Sequence, residues 1–223
     1  MEKRQARIRW AIRQAEEKAA YGGLLVLNRI RWAKERGDTT LFLRERRITD
    51  VTPLAELTKL TELDIRVNKI TDLTPLAGLT KLEYLGLRYN KITNLTPLAG
   101  LPQLTTLDLS NISLPDLTSL AGLTQLTTLK LGVERLFLHP LNNGETDSEK
   151  FTDLTPLADL TQLTTLHLSG PITDLAPLAN LPQLTTLYLH PYPEIKDLTP
   201  LASLTNLTEL SLTDWGDISD LTP

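Results

Sequence analysis

Leu60, Leu63, Ile65, Ile70, Leu73, Leu76, Ala77 and Leu79 are the apolar positions of one phrase of 22 residues, and the phrase recurs along the chain. Leu82, Leu104, Leu126, Leu163, Leu184 and Leu207 open later copies, and a degenerate first copy starts at Asp38 and is carried by Leu41 and Leu43. The starts at 38, 60, 82, 104 and 126 lie 22 apart; the next steps are 37, 21 and 23, so about 15 extra residues enter after Leu131. Leu63 and Ile65 alternate with polar neighbours, which predicts a short strand with one buried face. Thr74-Pro75-Leu76-Ala77 predicts a short helical turn on the opposite wall, with threonine as its cap and proline in the first position. One unit cannot bury its leucines alone. Stacked units can, and their strands then form a parallel sheet with neighbours about 4.8 Å apart.

The first 37 residues follow another rhythm. Ile8, Ile12, Ala15 and Ala19 fall on one helical stripe, and Val26, Leu27, Ile30 and Ala33 on a second. Gly22-Gly23 separates the two and Gly37 stops the second, which predicts a helical hairpin over the N-terminal end of the array. Trp10 points away from its own stripe, and Arg4, Arg7, Arg9 and Arg13 form a basic face diluted by Glu16 and Glu17. The expected organisation is a helical cap over 1–37 and a repeat domain over 38–223 of about eight units, the last breaking off at Pro223 with no polar cap behind it.

The pattern LxxLxLxxNxI and the phrase ITDLTPLAGLTKL, over residues 38 to 223, resemble the leucine-rich repeat family, and within it the internalin type of bacteria. The hairpin resembles the basic helix, glycine and first strand of cyanobacterial leucine-rich repeat proteins. The resemblance implies an α/β solenoid, curved and right-handed, with parallel strands on the concave face and short 3-10 turns on the convex face. It also implies that Asn68 and Asn90, in the family's asparagine place, satisfy backbone groups inside the turn. Ile112 and Pro171 stand there in two other copies, so those turns are expected to be less regular. Internalins are secreted; the N-terminus here has no apolar signal core, so the resemblance carries fold and binding style and not a role in host-cell adhesion.

Composition narrows the chemistry. The net charge of −4 gives no reason to expect nucleic acid, and the absence of cysteine excludes disulfides, a thiol nucleophile and thiolate metal sites. The longest apolar run, Leu24 to Leu27, is too short to cross a bilayer, so no membrane partner and a cytoplasmic location are expected. No nucleophile elbow or phosphate loop is present. Asp64 and Asp108 stand at equivalent places two units apart, about 10 Å, which is loose for paired carboxylates. His167 and His190 share the concave side without an acidic third ligand. Neither an enzyme nor a cofactor or metal is expected.

Strand alternation sends the third, fifth and seventh residues of each unit to the concave face. The fifth column reads Phe42, Asp64, Gly86, Asp108, Lys130, His167, Tyr188, Ser211; the seventh begins Arg44, Arg66, Arg88. One cluster is therefore an arginine ladder, Arg44, Arg66 and Arg88, beside Phe42, Asp64, Tyr84 and Tyr89. Guanidinium groups about 5 Å apart repel by on the order of 0.8 kcal/mol per pair in water, with Glu62 and Asp64 as counter-charges. Arginine mixed with tyrosine is the composition of binding hot spots and suits an acidic partner segment; a solvated face inherited by duplication has the same sequence. A second cluster joins His167, Tyr188, His190, Tyr192 and Trp215, the last two in units one residue longer than standard, and Lys130 of the fifth column is a further candidate contact. Between them Thr106, Thr128, Ser110 and Gly132 leave a plain floor.

Residues 133 to 150 leave the array just after the strand at Leu129–Leu131. Leu136, Phe137 and Leu138 read as folding back on the sheet edge, Asn142-Asn143-Gly144 as a turn and Glu145 to Lys150 as a charged return. The sequence thus predicts a non-catalytic module that binds a protein on its concave face and central loop. The alternative is a structural or regulatory subunit that docks through the N-terminal helices, or through the uncapped C-terminal end onto another chain or a second copy of itself.

Overall fold

The computed structural model describes residues 19–132, 152–191, 195 and 197–212. Residues 1–18 with Trp10, the segment 133 to 150, Tyr192, Trp215 and the end of the last unit at 213–223 fall outside the described residues.

Helix α1 (Leu24–Arg36) follows Gly22 and Gly23, both at positive φ, and buries Val26, Ile30 and Ala33. It ends at Gly37, whose φ of 67° lets its own N–H reach Lys34 O and turns the chain so that Asp38 N–H reaches Ala33 O. The chain before the helix docks on the first coil: Thr49 N–H and Asp50 N–H both donate to Ala20 O. Gly22 is needed there, because a Cβ would lie 2.8 Å from Ile48 Cγ1 and 2.9 Å from Arg46 O.

Eight parallel strands then form one sheet in chain order. They are β1 (Thr40–Phe42), β2 (Glu62–Asp64), β3 (Tyr84–Gly86), β4 (Thr106–Ser110), β5 (Thr128–Gly132), β6 (Thr165–Gly170), β7 (Thr186–Pro191) and β8 (Glu209–Leu212). Each of the first seven is followed by a short 3-10 turn, such as Thr52–Leu54 and Thr74–Leu76, on the far side of the coil. Between the two walls runs one leucine core: Leu63, Leu85, Leu107, Leu129, Leu166 and Leu187 are each 0% exposed. Burying each such side chain is worth roughly 2–3 kcal/mol relative to leaving it in water.

Three polar ladders keep the coils in step. Asn68 Oδ1 accepts from Arg46 N and Ile48 N, and its Nδ2 donates to Leu43 O and Ile65 O; Asn90 repeats the pattern one coil on, to Ile70 N, Ile65 O and Leu87 O. Threonines just before the strands form a second ladder. Thr127 Oγ1 donates to Thr105 O, Thr164 to Thr127 O, Thr185 to Thr164 O and Thr208 to Thr185 O. The third starts each 3-10 turn and corrects the expected cap. The acceptor is the residue two places before the turn's first N–H, as in Asp72 Oδ1 with Thr74 N at 2.8 Å, and not the threonine itself. Asp50, Asn94, Asp116, Asp153, Asp174 and Asp197 do the same.

The units with Ile112 and Pro171 in the asparagine's place differ from each other. In the first, Asn111 keeps the left-handed backbone (φ 57°) that Glu45, Val67 and Tyr89 adopt at the same place, so the turn retains its shape, but the Asn111 Nδ2 is buried without a hydrogen-bond partner. In the second, one residue shorter, Gly170 at φ 148° precedes Pro171 and Ile172 N–H closes back on Gly170 O.

Candidate functional site

The register sets which side chains meet on the sheet face. Phe42, Asp64 and Gly86 are partners across β1, β2 and β3, and Asp108, Lys130, His167, Tyr188 and Ser211 continue the row through β8. Beyond the strand ends the pairing persists: Glu45 N–H donates to Arg66 O and Val67 N–H to Arg88 O. Arg44, Arg66 and Arg88 therefore hold one address on three successive coils, as the repeat register requires.

Asp64, expected among the contact residues, is fully buried and lies beneath the arginines. Its Oδ2 accepts from Arg44 Nε at 2.8 Å and forms ion pairs with Arg44 Nη2 at 2.7 Å and Arg66 Nη2 at 3.1 Å, and its Oδ1 accepts from the Arg66 backbone N–H at 3.2 Å. One carboxylate thus serves two guanidinium groups. Glu62, the other expected counter-charge, makes no ion pair with the described residues. Arg66 Nε is buried with no acceptor. Arg44 lies over the Phe42 ring at 5.3 Å and Arg88 over the Tyr89 ring at 5.0 Å, both within cation–π range.

Gly86 explains how Tyr84 joins this group. A Cβ at Gly86 would sit 3.0 Å from Tyr84 Oη and 3.2 Å from Asp64 Cγ, so the missing side chain is the hollow that receives the phenol. Burial pushes the Tyr84 phenol above its ordinary range, and the negative charges of Asp64 and Asp108 push it further; Arg66 and Arg44 oppose them. Asp108 turns inward too, with Oδ1 on Ser110 N at 3.0 Å. The two carboxylates facing Gly86 act on the protein's own groups.

The second cluster is brought together only in part. The His167 and Tyr188 rings stack at 4.2 Å with 20° between their planes, on adjacent strands. Tyr188 Oη donates to Glu209 Oε1 at 2.6 Å, and that hydrogen bond raises the phenol's pKa. Glu209 is not among the residues the sequence singled out; the available signal was its diagonal place beside Tyr188, set by the pairing Thr186–Glu209. His190 pairs with Ser169, and Lys130 lies between Asp108 and His167 in the row. From Arg66 on the second coil to His167 on the sixth is four strand steps, about 19 Å. The two clusters are separate patches on one surface. Among the described residues no group of three or more histidine, aspartate or glutamate side chains could hold a metal ion.

The profile described as Leucine Rich repeats (2 copies) matches residues 39–78, 80–122 and 161–203, more than half of the chain. The chain belongs to the leucine-rich repeat family. Similar solved structures place this leucine-rich repeat protein among internalin-like members. An internalin (inlF) from Listeria monocytogenes superposes with a TM-score of 0.70 at 29% identity, over 84% of this chain and 55% of that one. Internalin C2 (inlC2) from the same organism gives 0.69 at 33% identity, over 88% of each chain. A leucine-rich repeat protein of Leptospira interrogans gives 0.60 at 21% identity, over 82% and 52%, a likeness of fold alone. The leucine-rich repeat protein thus spans about half the length of the inlF chain. No curated protein matches it by sequence. This fold is in general a protein-interaction module, a binding scaffold of the kind that is not enzymatic. Among the described residues no helix is long and apolar enough to cross a membrane.

Proposed function

We propose that this leucine-rich repeat protein binds a protein partner on its concave sheet face, with the arginine row as one contact and the Lys130–His167–Tyr188–His190 patch as another. The observation that carries the reading is the row itself: Arg44, Arg66 and Arg88 hold one address on consecutive coils, with aromatic rings of Phe42 and Tyr89 beneath two of them. Arginine over an aromatic ring presents charge and apolar area together, the chemistry of residues that dominate interfaces. The leucine core holds these side chains at fixed spacing, so little conformational freedom remains to be lost on binding. The segment 133 to 150 enters beside the same face and is included as a contact on its sequence alone.

The test is affinity capture from the source cell with the wild type and an Arg66→Glu, Arg88→Glu variant side by side, both checked for folding by circular dichroism. The reading expects a protein captured by the wild type and lost with the variant. Identical captured sets would overturn it and favour docking through the N-terminal helices or the C-terminal end, which the same substitutions leave untouched.

A further inference from the structure

Resting on that reading, we infer that Arg44 and Arg66 form a carboxylate clamp, tensioned from below by buried Asp64, and that it takes a glutamate or aspartate side chain from an acidic segment of the partner. The argument is a count of donors. Asp64 Oδ2 accepts from Arg44 Nε and pairs with Arg44 Nη2 and Arg66 Nη2, and Oδ1 accepts from the Arg66 N–H, so one buried carboxylate is shared by two guanidinium groups. Each guanidinium has five N–H donors. Asp64 occupies two donors of Arg44 and one of Arg66, and Arg66 Nε is buried with no acceptor at all. Two positive charges share this one buried negative charge, and the Arg44 and Arg66 side chains remain 46% and 31% exposed, within reach of a partner.

The mounting suits a carboxylate in particular. Because Asp64 grips both side chains on their inner edge, the two planar forks are oriented before a ligand arrives, and planar forks match a carboxylate through paired N–H···O bonds. The Phe42 ring lies 5.3 Å beneath the Arg44 guanidinium, and Tyr84 is close enough to Arg66 to feel its charge, so ring surface flanks the pair. Asp64 itself is 0% exposed and cannot repel the ligand by contact, while its charge keeps the pair from repelling each other. A lone pair of solvated arginines would lack the buried counter-ion, the shared oxygen and the unsatisfied inner nitrogen.

The test uses the full chain and two fluorescein-labelled peptides, one of alternating glutamate and serine, the other with glutamine for each glutamate. The glutamate peptide is expected to bind about tenfold more tightly or better by fluorescence anisotropy at near-physiological salt. Arg44→Lys together with Arg66→Lys keeps both charges and removes the forks, and is expected to lower affinity for the glutamate peptide about fivefold or more. Equal binding of the two peptides, or a lysine variant as good as the wild type, overturns the clamp and leaves only diffuse attraction. A phosphoserine peptide that outcompetes the glutamate peptide while the lysine variant keeps its affinity also overturns it. If the peptides fail but the captured partner is lost on Tyr188→Ala, the clamp fails and the concave-face reading stands; if no concave substitution changes capture, both fail.

Discussion

Replacing Asn68 by alanine removes one side chain and unsatisfies a set of buried groups that can be counted. The amide oxygen now accepts from Ile48 N at 3.0 Å, a buried bond, and from Arg46 N at 3.0 Å, a partly buried one. The amide nitrogen donates to Leu43 O at 2.9 Å and Ile65 O at 2.8 Å. Ile65 O is not orphaned by the change, because Asn90 Nδ2 also reaches it at 3.0 Å. That leaves Ile48 N and Leu43 O stranded and Arg46 N within reach of water. Each stranded group costs about 1–3 kcal/mol, and a water entering the vacated space offsets part of it, so the expected loss is about 3 kcal/mol. By the same count Asn90→Ala strands Ile70 N and Leu87 O and is expected to cost about as much. Repeat arrays can open locally, so native-state amide exchange at Ile48 and Ile70 should accompany urea titration. A loss below about 1 kcal/mol at either asparagine would refute this account of how coils are joined.

Val67 is a β-branched residue at φ 57°, a conformation that asparagine tolerates far better, and Asn111 occupies the same place two coils on; Val67→Asn should raise stability by about 1 kcal/mol in urea titration, and a loss would show that the valine's packing outweighs its backbone strain. Gly132 has φ 95° and its missing Cβ would lie 2.0 Å from Ser169 O, so Gly132→Ala should destabilise the junction of β5 and β6 by about 3 kcal/mol or more; a change within 0.5 kcal/mol, by the same assay and on the scale of ordinary surface substitutions, would contradict that geometry. Hydrogen bonds from Thr74, Thr155 and Thr199 hold the carboxyls of Asp72, Asp153 and Asp197 below their ordinary range. Groups with a lowered folded pKa contribute stability above their unfolded pKa, about 3.9, and lose it as the pH falls through the folded value. Asparagine keeps the acceptor oxygen without the titration, as Asn94 does for Thr96 N, so the triple Asp→Asn variant should lose less thermal stability between about pH 5 and pH 2 than the wild type; parallel losses would refute it.

The repeat was legible because burial imposes a period that single residues cannot hide: every strand, every 3-10 turn and the row Arg44, Arg66, Arg88 lie where the spacing puts them. What alternation does not contain is depth. It assigns Asp64 and Phe42 to the same column of the same face, yet Asp64 is fully buried and Phe42 is exposed. The difference comes from Gly86 on the next strand, which opens a hollow, and from two flanking arginines that fold over the carboxylate. Nor does a period reveal which residue caps a turn: threonine opens most of the 3-10 turns, but the aspartate two places earlier has the reach to accept its N–H. The stack of His167 on Tyr188 and the bond from Tyr188 to Glu209 depend on rotamers that spacing leaves open.

The place of the extra residues follows from which ladder joins the coils there. In the first coils coupling also lies after the strand, where Asn68 and Asn90 tie each turn to the one before it. An insertion at that point would separate the amide from its acceptors and donors. From β4 onward the asparagine is gone, and only the links before the strand remain, in the threonine ladder whose members run from Thr61 to Thr208. Residues 133 to 150 enter after β5, on the side the threonines do not use. The links therefore span the insertion unchanged: Thr164 N–H and Thr164 Oγ1 both donate to Thr127 O, at 2.9 Å and 3.1 Å, and β5 pairs with β6 in the same register as its neighbours. Arg44 and Arg66 thus lie beside turns held by both kinds of link, and the added sequence enters where the threonine links alone remain. Exchange of the Thr164 amide should accordingly be as slow as that of Thr185, although 37 residues separate Thr164 from its acceptor and only 21 separate Thr185 from its own.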